Sequence, residues 1–141
     1  MRKLLKDPDL YRQAALIDGQ WIADTPHGHY ELFNPATREL IATLPRCKEA
    51  ETTRAIVAAD KAYRTWRKAT AKHRAQVVNR WWQLIVEAKE DLAILITMEE
   101  GKPLAEARGE IDYAAGFVQW FAEEVKRVRG DVIPAPKETQ R

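Results

Sequence analysis

Between Thr97 and Pro136 the chain stops one helix, restarts another, and gives the second more apolar surface than one neighbour can cover. Gly101 suits the left-handed residue that closes a helix, and Pro103 suits the first turn of the next, where its missing N–H costs no bond. Ala107, Ile111, Ala114, Val118, Phe121, Ala122 and Val125 then recur at helical spacing and make one stripe. Tyr113, Phe117, Trp120 and Val128 make a second, centred about 120° around the helix from the first at about 100° per residue. Asp112, Gln119, Glu123, Lys126 and Arg127 are left for water. An outer helix needs one apolar stripe, so a helix with two is expected to be covered from two directions. The rest of the chain has too little to do both.

Upstream, residues 1–13 read as a short frayed helix or an arm. Ala15 to Ile17 and Gln20 to Ala23 flank the turn pair Asp18-Gly19 and predict a tight hairpin with a primed turn. His29 to Phe33 and Leu40 to Leu44 predict a second hairpin, with Asn34-Pro35-Ala36-Thr37 between them. Pro45 ends the strand region. A helix starting at Lys48 is expected to bury Ala55, Ile56, Ala59, Ala62, Tyr63 and Trp66 as an ordinary amphipathic face. Thr70 is the expected N-cap of the next, which runs to about Lys89 with Val77, Val78, Trp81, Trp82, Leu84, Ile85 and Ala88 inward. Glu90 or Asp91 opens a short helix ending before Gly101, and Asp131 to Ile133 reads as an extended stretch leading to Pro134 and Pro136. The fold class is therefore mostly α with small N-terminal antiparallel hairpins: hairpins over 14–45, helices over 48–129 and a linker over 130–141.

Composition narrows the class. With 45% apolar and 31% charged residues the chain is globular rather than disordered, and it contains no apolar run of membrane-spanning length. The N-terminus lacks the apolar core of a secretory signal, and the single Cys47 fits a reducing compartment, so a cytoplasmic protein is expected. The net charge of +2 conceals a split: ten Lys or Arg against three acids from Arg46 to Arg80, and ten acids against three bases from Glu87 to Glu124. We expect complementary outer faces of packed helices rather than a nucleic-acid surface, and neither nucleic acid nor membrane as a partner.

Glu99-x-Gly101-Lys102-Pro103, Glu106-Ala107, Glu110, Trp120-Phe121-Ala122-Glu123-Glu124 and Gly130-Asp131-Val132-Ile133-Pro134 resemble the aldehyde dehydrogenase superfamily. Ala15-Leu16-Ile17-Asp18-Gly19-Gln20-Trp21 and Asn34-Pro35-Ala36-Thr37 extend the resemblance over essentially the whole chain. The motif order is most similar to the N-terminal portion of NAD(P)-dependent succinate-semialdehyde dehydrogenases. This resemblance implies the N-terminal helical layer of a Rossmann-like cofactor-binding domain. It implies oxidation of succinate semialdehyde or a related aldehyde to the acid, through a cysteine thiohemiacetal and then a thioester. It also implies that the nucleophilic cysteine, general-base glutamate, oxyanion-stabilising asparagine and dinucleotide-binding strands follow the point where this chain stops. The expected partners are the rest of such a polypeptide and further copies in a dimer or tetramer. The expected cofactor is NADP or NAD in the complete enzyme and none for these residues alone. The resemblance offers two places for Tyr113, and with it Phe117: simple packing against the cofactor domain that follows, or the wall of the tunnel down which the aldehyde travels, and their second-stripe position fits either.

Other candidates carry less. Cys47 is not preceded by the family's nucleophile motif, and Glu99 and Glu100 are helix neighbours that point about 100° apart and would not share a substrate. Glu106 and Glu110 share a face but have no third ligand nearby, and His27 and His29 flank a glycine without further ligands, so no metal site is expected. His73 reads as a surface residue. Gly101-Lys102-Pro103 lacks the earlier glycine and the following Ser or Thr of a phosphate loop. No catalytic, cofactor-binding or metal residue is expected here. Two function classes remain: a portion of an oxidoreductase, and a free-standing helical interaction module that docks through its second apolar stripe.

Overall fold

The computed structural model describes residues 1–131, 134 and 137. The chain starts as an arm with two short 3-10 turns, Arg2–Leu4 and Pro8–Leu10. Pro8 opens the second, and the Asp7 carboxylate caps it by accepting the Asp9 N–H at 2.9 Å. Strands β1 (Ala15–Ile17) and β2 (Gln20–Ile22) pair antiparallel with Leu16 opposite Trp21. Asp18 and Gly19 hold φ of 51° and 74°, the double left-handed conformation of the primed turn predicted from the sequence.

Strands β3 (His29–Phe33) and β4 (Leu40–Pro45) pair antiparallel with an irregularity between Leu32 and Phe33. Asn34 organises their turn: its side-chain oxygen accepts the N–H groups of Ala36 and Thr37 at 2.8 and 3.1 Å.

Four helices follow: α1 (Glu49–Trp66), α2 (Ala71–Glu87), α3 (Lys89–Glu100) and α4 (Leu104–Glu124), with a 3-10 turn at Val125–Arg127. Glu51 accepts the Lys48 N–H at 2.9 Å and Thr70 accepts the His73 N–H at 3.2 Å, so both start signals act as caps. Ala88 alone separates α2 from α3. Gly101, at φ 79°, closes α3 as predicted. Pro103 stands one position earlier than expected, as the extended N-cap of α4 rather than inside its first turn.

The core is built mainly of alanine. Ala93 on α3 and Ala107 on α4 are fully buried at 0% exposure and pack with Ile111, and Ala75 on α2 and Ala115 and Ala122 on α4 are buried as well. α2 and α3 both lie along α4, and a methyl at each crossing lets the backbones approach closely. A second cluster of Leu5, Tyr11 and Ala42 joins the arm and β4 to Ile94 and Leu95 of α3.

Three expectations are corrected. The α1 stripe is not packed: Ile56, Ala59, Ala62, Tyr63 and Trp66 are exposed, because among the described elements α1 lies mainly against β1. On α2, Val78, Trp82, Ile85 and Ala88 turn inward, whereas Val77, Trp81 and Leu84 are exposed. On α4, Ala115 takes the place expected for Ala114, and Phe121 is exposed. Placed at about 100° per residue, the buried residues Ala107, Ile111, Ala115 and Ala122 centre about 85° from Phe121, which lies only about 40° from Phe117. Val132, Ile133 and Pro136, from the expected extended stretch and linker, lie outside the described residues.

The charge split also resolves differently. The ion pairs joining helices run from α3 to α4, inside the acidic half: Lys89 to Asp112 at 2.7 Å, and Arg108 to Glu90 in a fork at 2.8 to 3.0 Å. In the basic half, Arg64 pairs with Asp60 and Arg80 with Glu87, each within its own helix.

Two sets of outcomes follow for thermal unfolding of the chain. Ala107→Leu, which overfills a methyl-sized crossing, is expected to cost about 1–3 kcal/mol, whereas Tyr113→Ala on the open face is expected to stay within about 0.5 kcal/mol. Gly101→Ala combines a left-handed φ with a Cβ that would lie 2.9 Å from the Pro35 ring and is expected to cost about 2 kcal/mol. Gly109→Ala meets nothing within 4 Å inside α4 and is expected to stabilise by up to about 1 kcal/mol.

The hydrogen bonds from Arg108 hold the Glu90 carboxyl below its ordinary range. A depressed folded-state value gives stabilisation that is complete above the ordinary carboxylate range and is lost as pH falls through the folded value. Tm measured against pH should therefore show Glu90→Gln below the parent at neutral pH and the two converging in acid.

Candidate functional site

The long side chains that the alanine seam excludes gather on the opposite side of α4. Tyr113 and Phe117, one turn apart, meet edge to face with ring centroids 4.9 Å apart and planes at 89°, the arrangement favoured by their ring quadrupoles. With Trp120, Phe121, Asp112 and Gly116 they line an open recess of about 560 Å³. Gly116 has no atom within 4 Å of where a Cβ would sit, so its missing side chain opens the floor between Tyr113 and Trp120. Tyr113 is 72% exposed, Phe117 50%, Trp120 64% and Phe121 61%, a continuous aromatic face.

The electrostatics of the recess are simple. Asp112 is its only carboxylate, and the Lys89 ammonium at 2.7 Å engages it from α3. No Lys or Arg lines the recess, and the other polar side-chain groups among its lining residues are the Tyr113 hydroxyl and the Trp120 indole N–H. Such a surface can shelter an apolar chain or wall a passage for a small organic molecule, but it has no nucleophile and no paired acid and base.

The sequence expectation for Tyr113 and Phe117 as neighbours on an uncovered face agrees with their placement, and whether they touch an aldehyde is taken up below. Sequence reasoning missed Gly116 and Asp112 as part of this site and assigned Phe121 to the other stripe. The helical angle of Phe121 relative to the alanine positions was the signal that would have placed it.

The other candidates lie elsewhere. Cys47 is exposed in the link between β4 and α1. Glu99 does not pair with Glu100; partial burial, with the charge of Glu100 second, holds its carboxyl above the ordinary range. Lys102 forms ion pairs with Glu110 and, at 3.5 Å, with Glu100, and its hydrogen bond to Glu110 holds the ammonium above its ordinary value. His29 hydrogen-bonds the Ala23 carbonyl at 3.0 Å, and His73 lies with its ring 6.4 Å from Trp66. Among the described residues no three His, Cys, Asp or Glu side chains converge as a metal site would require.

Lys102, in the stretch most like a phosphate loop, is committed to two carboxylates, and the Pro35 ring fills the space beside Gly101.

Comparison with known proteins gives this geometry its context. Residues 21–141 match the model of the aldehyde dehydrogenase family. Glutarate-semialdehyde dehydrogenase of Pseudomonas putida is 53% identical over 97% of this chain, and succinate-semialdehyde dehydrogenase [NADP(+)] of Escherichia coli K12 is 46% identical over 97%. The crystal structure of succinate-semialdehyde dehydrogenase from Burkholderia pseudomallei superposes with a TM-score of 0.90 at 51% identity over 94% of the chain. In each case the chain spans 28% of the relative's length. The motifs, the helical layer behind two hairpins and the family match converge: the chain belongs to the aldehyde dehydrogenase family.

Proposed function

We propose that this chain forms the N-terminal helical layer of the cofactor-binding domain of a cytoplasmic, NADP- or NAD-dependent dehydrogenase that oxidises succinate semialdehyde or a related carboxylated aldehyde to the acid. On this reading residues 14–45 are an edge ornament, 48–129 the helical layer and 130–141 the link to the rest of the polypeptide, and the whole protein assembles as a dimer or tetramer of identical chains. The observation that carries the reading is the aromatic face of α4, which the alanine seam leaves uncovered while the relatives' polypeptides are several times longer. The remainder of such a polypeptide covers this face and brings the nucleophile to it. Tyr113 and Phe117 then stand in the wall of the path along which the aldehyde approaches, and Gly116 leaves room between the rings. The names of the relatives, glutarate- and succinate-semialdehyde dehydrogenases, support an aldehyde carrying a distal carboxylate. The dinucleotide would accept the hydride, and residues 1–141 contribute packing and a passage rather than the chemical step.

A second reading rests on the same face: a helical interaction module that docks on another protein through Tyr113, Phe117 and Trp120. Solution behaviour separates the two. The purified 141-residue chain is expected to produce no NADPH from succinate semialdehyde and NADP+ and to associate nonspecifically through its open face; a folded, monodisperse dimer or hetero-complex would favour the module. A chimera in which residues 1–141 replace the matching segment of the E. coli succinate-semialdehyde dehydrogenase is expected to keep NADP+-dependent oxidation. A soluble, folded chimera without activity would overturn the dehydrogenase reading. In that chimera Tyr113→Ala is expected to raise KM for the aldehyde about tenfold with kcat nearly unchanged. An unchanged KM with a lowered Tm would assign Tyr113 to packing alone.

A further inference from the structure

The arm of residues 1–13 is held to the body in an unusual way. Its backbone is captured by one carboxylate: the Lys6 N–H donates to Asp91 Oδ1 at 2.9 Å and the Asp7 N–H to Asp91 Oδ2 at 2.7 Å. Asp91, in the first turn of α3, is 6% exposed, so these two bonds occupy both oxygens of a buried charge. Asp7 in turn caps the turn that follows through the Asp9 N–H, and that turn delivers Tyr11, whose hydroxyl donates to the Ile41 carbonyl on β4. Gln13 ends the series by accepting the Thr43 N–H at 2.7 Å.

Between these polar ties only Leu5 and Tyr11 of the arm are buried, against Ala42 with Leu32, Leu44, Ile94 and Leu95 around them. Those partners belong to β3, β4 and α3, whose own ties, the β3–β4 ladder and the packing of α3 on α4, do not include the arm. The arm's other hydrogen bonds, from Leu4, Leu5, Leu10 and Tyr11 N–H, close within the arm itself.

We propose that residues 1–13 are a strap that opens as one cooperative unit while β3, β4, α3 and α4 stay folded, that Asp91 is its latch, and that opening uncovers an apolar groove of Leu32, Ala42, Leu44, Ile94 and Leu95. The asymmetry of the contacts gives the reason. Loss of Asp91 frees two donors at adjacent residues, and with them the starting geometry of the cap on Asp7 and the approach of Tyr11. The body loses the cover over one groove and two bonds at the edge of β4, from the Tyr11 hydroxyl and to the Gln13 side chain, and keeps its ladder and helix packing. Segments with few buried contacts and a separable hydrogen-bond set open below the global unfolding free energy.

Hydrogen exchange read by mass spectrometry on the chimera that carries residues 1–141 tests the strap, with Asp91→Asn as the variant. Asparagine keeps the shape but turns one acceptor into a donor facing an N–H. The amides of Leu4, Leu5, Lys6, Asp7, Asp9, Leu10 and Tyr11 are expected to exchange together, about tenfold or more faster than in the parent, and with them Thr43, whose N–H loses Gln13, while α3 from Ala93 to Met98 and the rest of β4 stay unchanged. Limited trypsin digestion should accelerate at Lys6 and Arg12 and leave the remainder intact. Lys89→Ala, which removes an α3–α4 ion pair, should leave arm exchange as it is. Arm amides that do not accelerate, arm amides that accelerate one by one, or protection lost together from the arm, β4 and α3 would each overturn the proposal.

Discussion

The structure depends on the methyl-sized crossings along α4. Ala107 against Ala93, with Ala75, Ala115 and Ala122 likewise buried, lets two helices lie close to a third, and that closeness fixes which side of α4 is inside. A larger residue at a crossing would push the helices apart and remove dispersion contacts along the seam. The same choice has a geometric consequence. Because the buried arc is lined by small side chains, the long aromatic residues of α4 must stand on the other arc, and α2 and α3 are already engaged on the first.

Polar ties around this seam differ in weight. The α3–α4 pairs Lys89–Asp112 and Glu90–Arg108 are exposed and fix register more than they add stability, since solvent screens such pairs. The Gly101 corner is more demanding. Its left-handed φ turns the chain from α3 into α4, and the Pro35 ring, from the β3–β4 turn, closes over it. The turn that Asn34 organises is thereby set against the helix break, which ties the second hairpin to the layer that carries the aromatic face. Asp91 has a similar place at the other end of α3, where its buried charge is satisfied by backbone donors instead of a counter-ion.

Much of this was legible in the sequence because it is written in local signals. Asp18-Gly19 specifies a primed turn, Thr70 a cap, Gly101 a left-handed stop, and each acts over a few residues. The two-stripe pattern of α4 was legible for the same reason, and the exposure of Tyr113, Phe117 and Trp120 agrees with it. What could not be read was tertiary. Periodicity marks Ile56, Tyr63 and Trp66 as one face of α1 but is silent on whether anything lies against that face. Nor does it choose between Ala114 and Ala115, neighbours of equal size, when the difference is set by where α2 and α3 lie along α4. The Asp91 latch was invisible for another reason: its partners are backbone groups 84 and 85 residues away, and main-chain donors carry no sequence mark.

The composition of the recess bears on selectivity. A carboxylated aldehyde needs a cation or converging hydrogen-bond donors to hold its distal charge, and burying that charge with neither would cost several kcal/mol. The recess offers an aromatic wall, a phenolic hydroxyl and one carboxylate already engaged by Lys89. Lys102, the nearest lysine in the motif, is held by Glu110 and Glu100 and would have to break an ion pair to serve. On the proposed reading, then, α4 supplies the apolar part of the passage and repels a second negative charge at the Asp112 rim. On the same reading, recognition of the substrate's carboxylate would fall to the remainder of such a polypeptide. On that reading, differences in chain length between preferred semialdehydes would be set by how far the groups that hold the carboxylate stand from the aromatic wall, with Tyr113 and Phe117 fixing one end of the measurement.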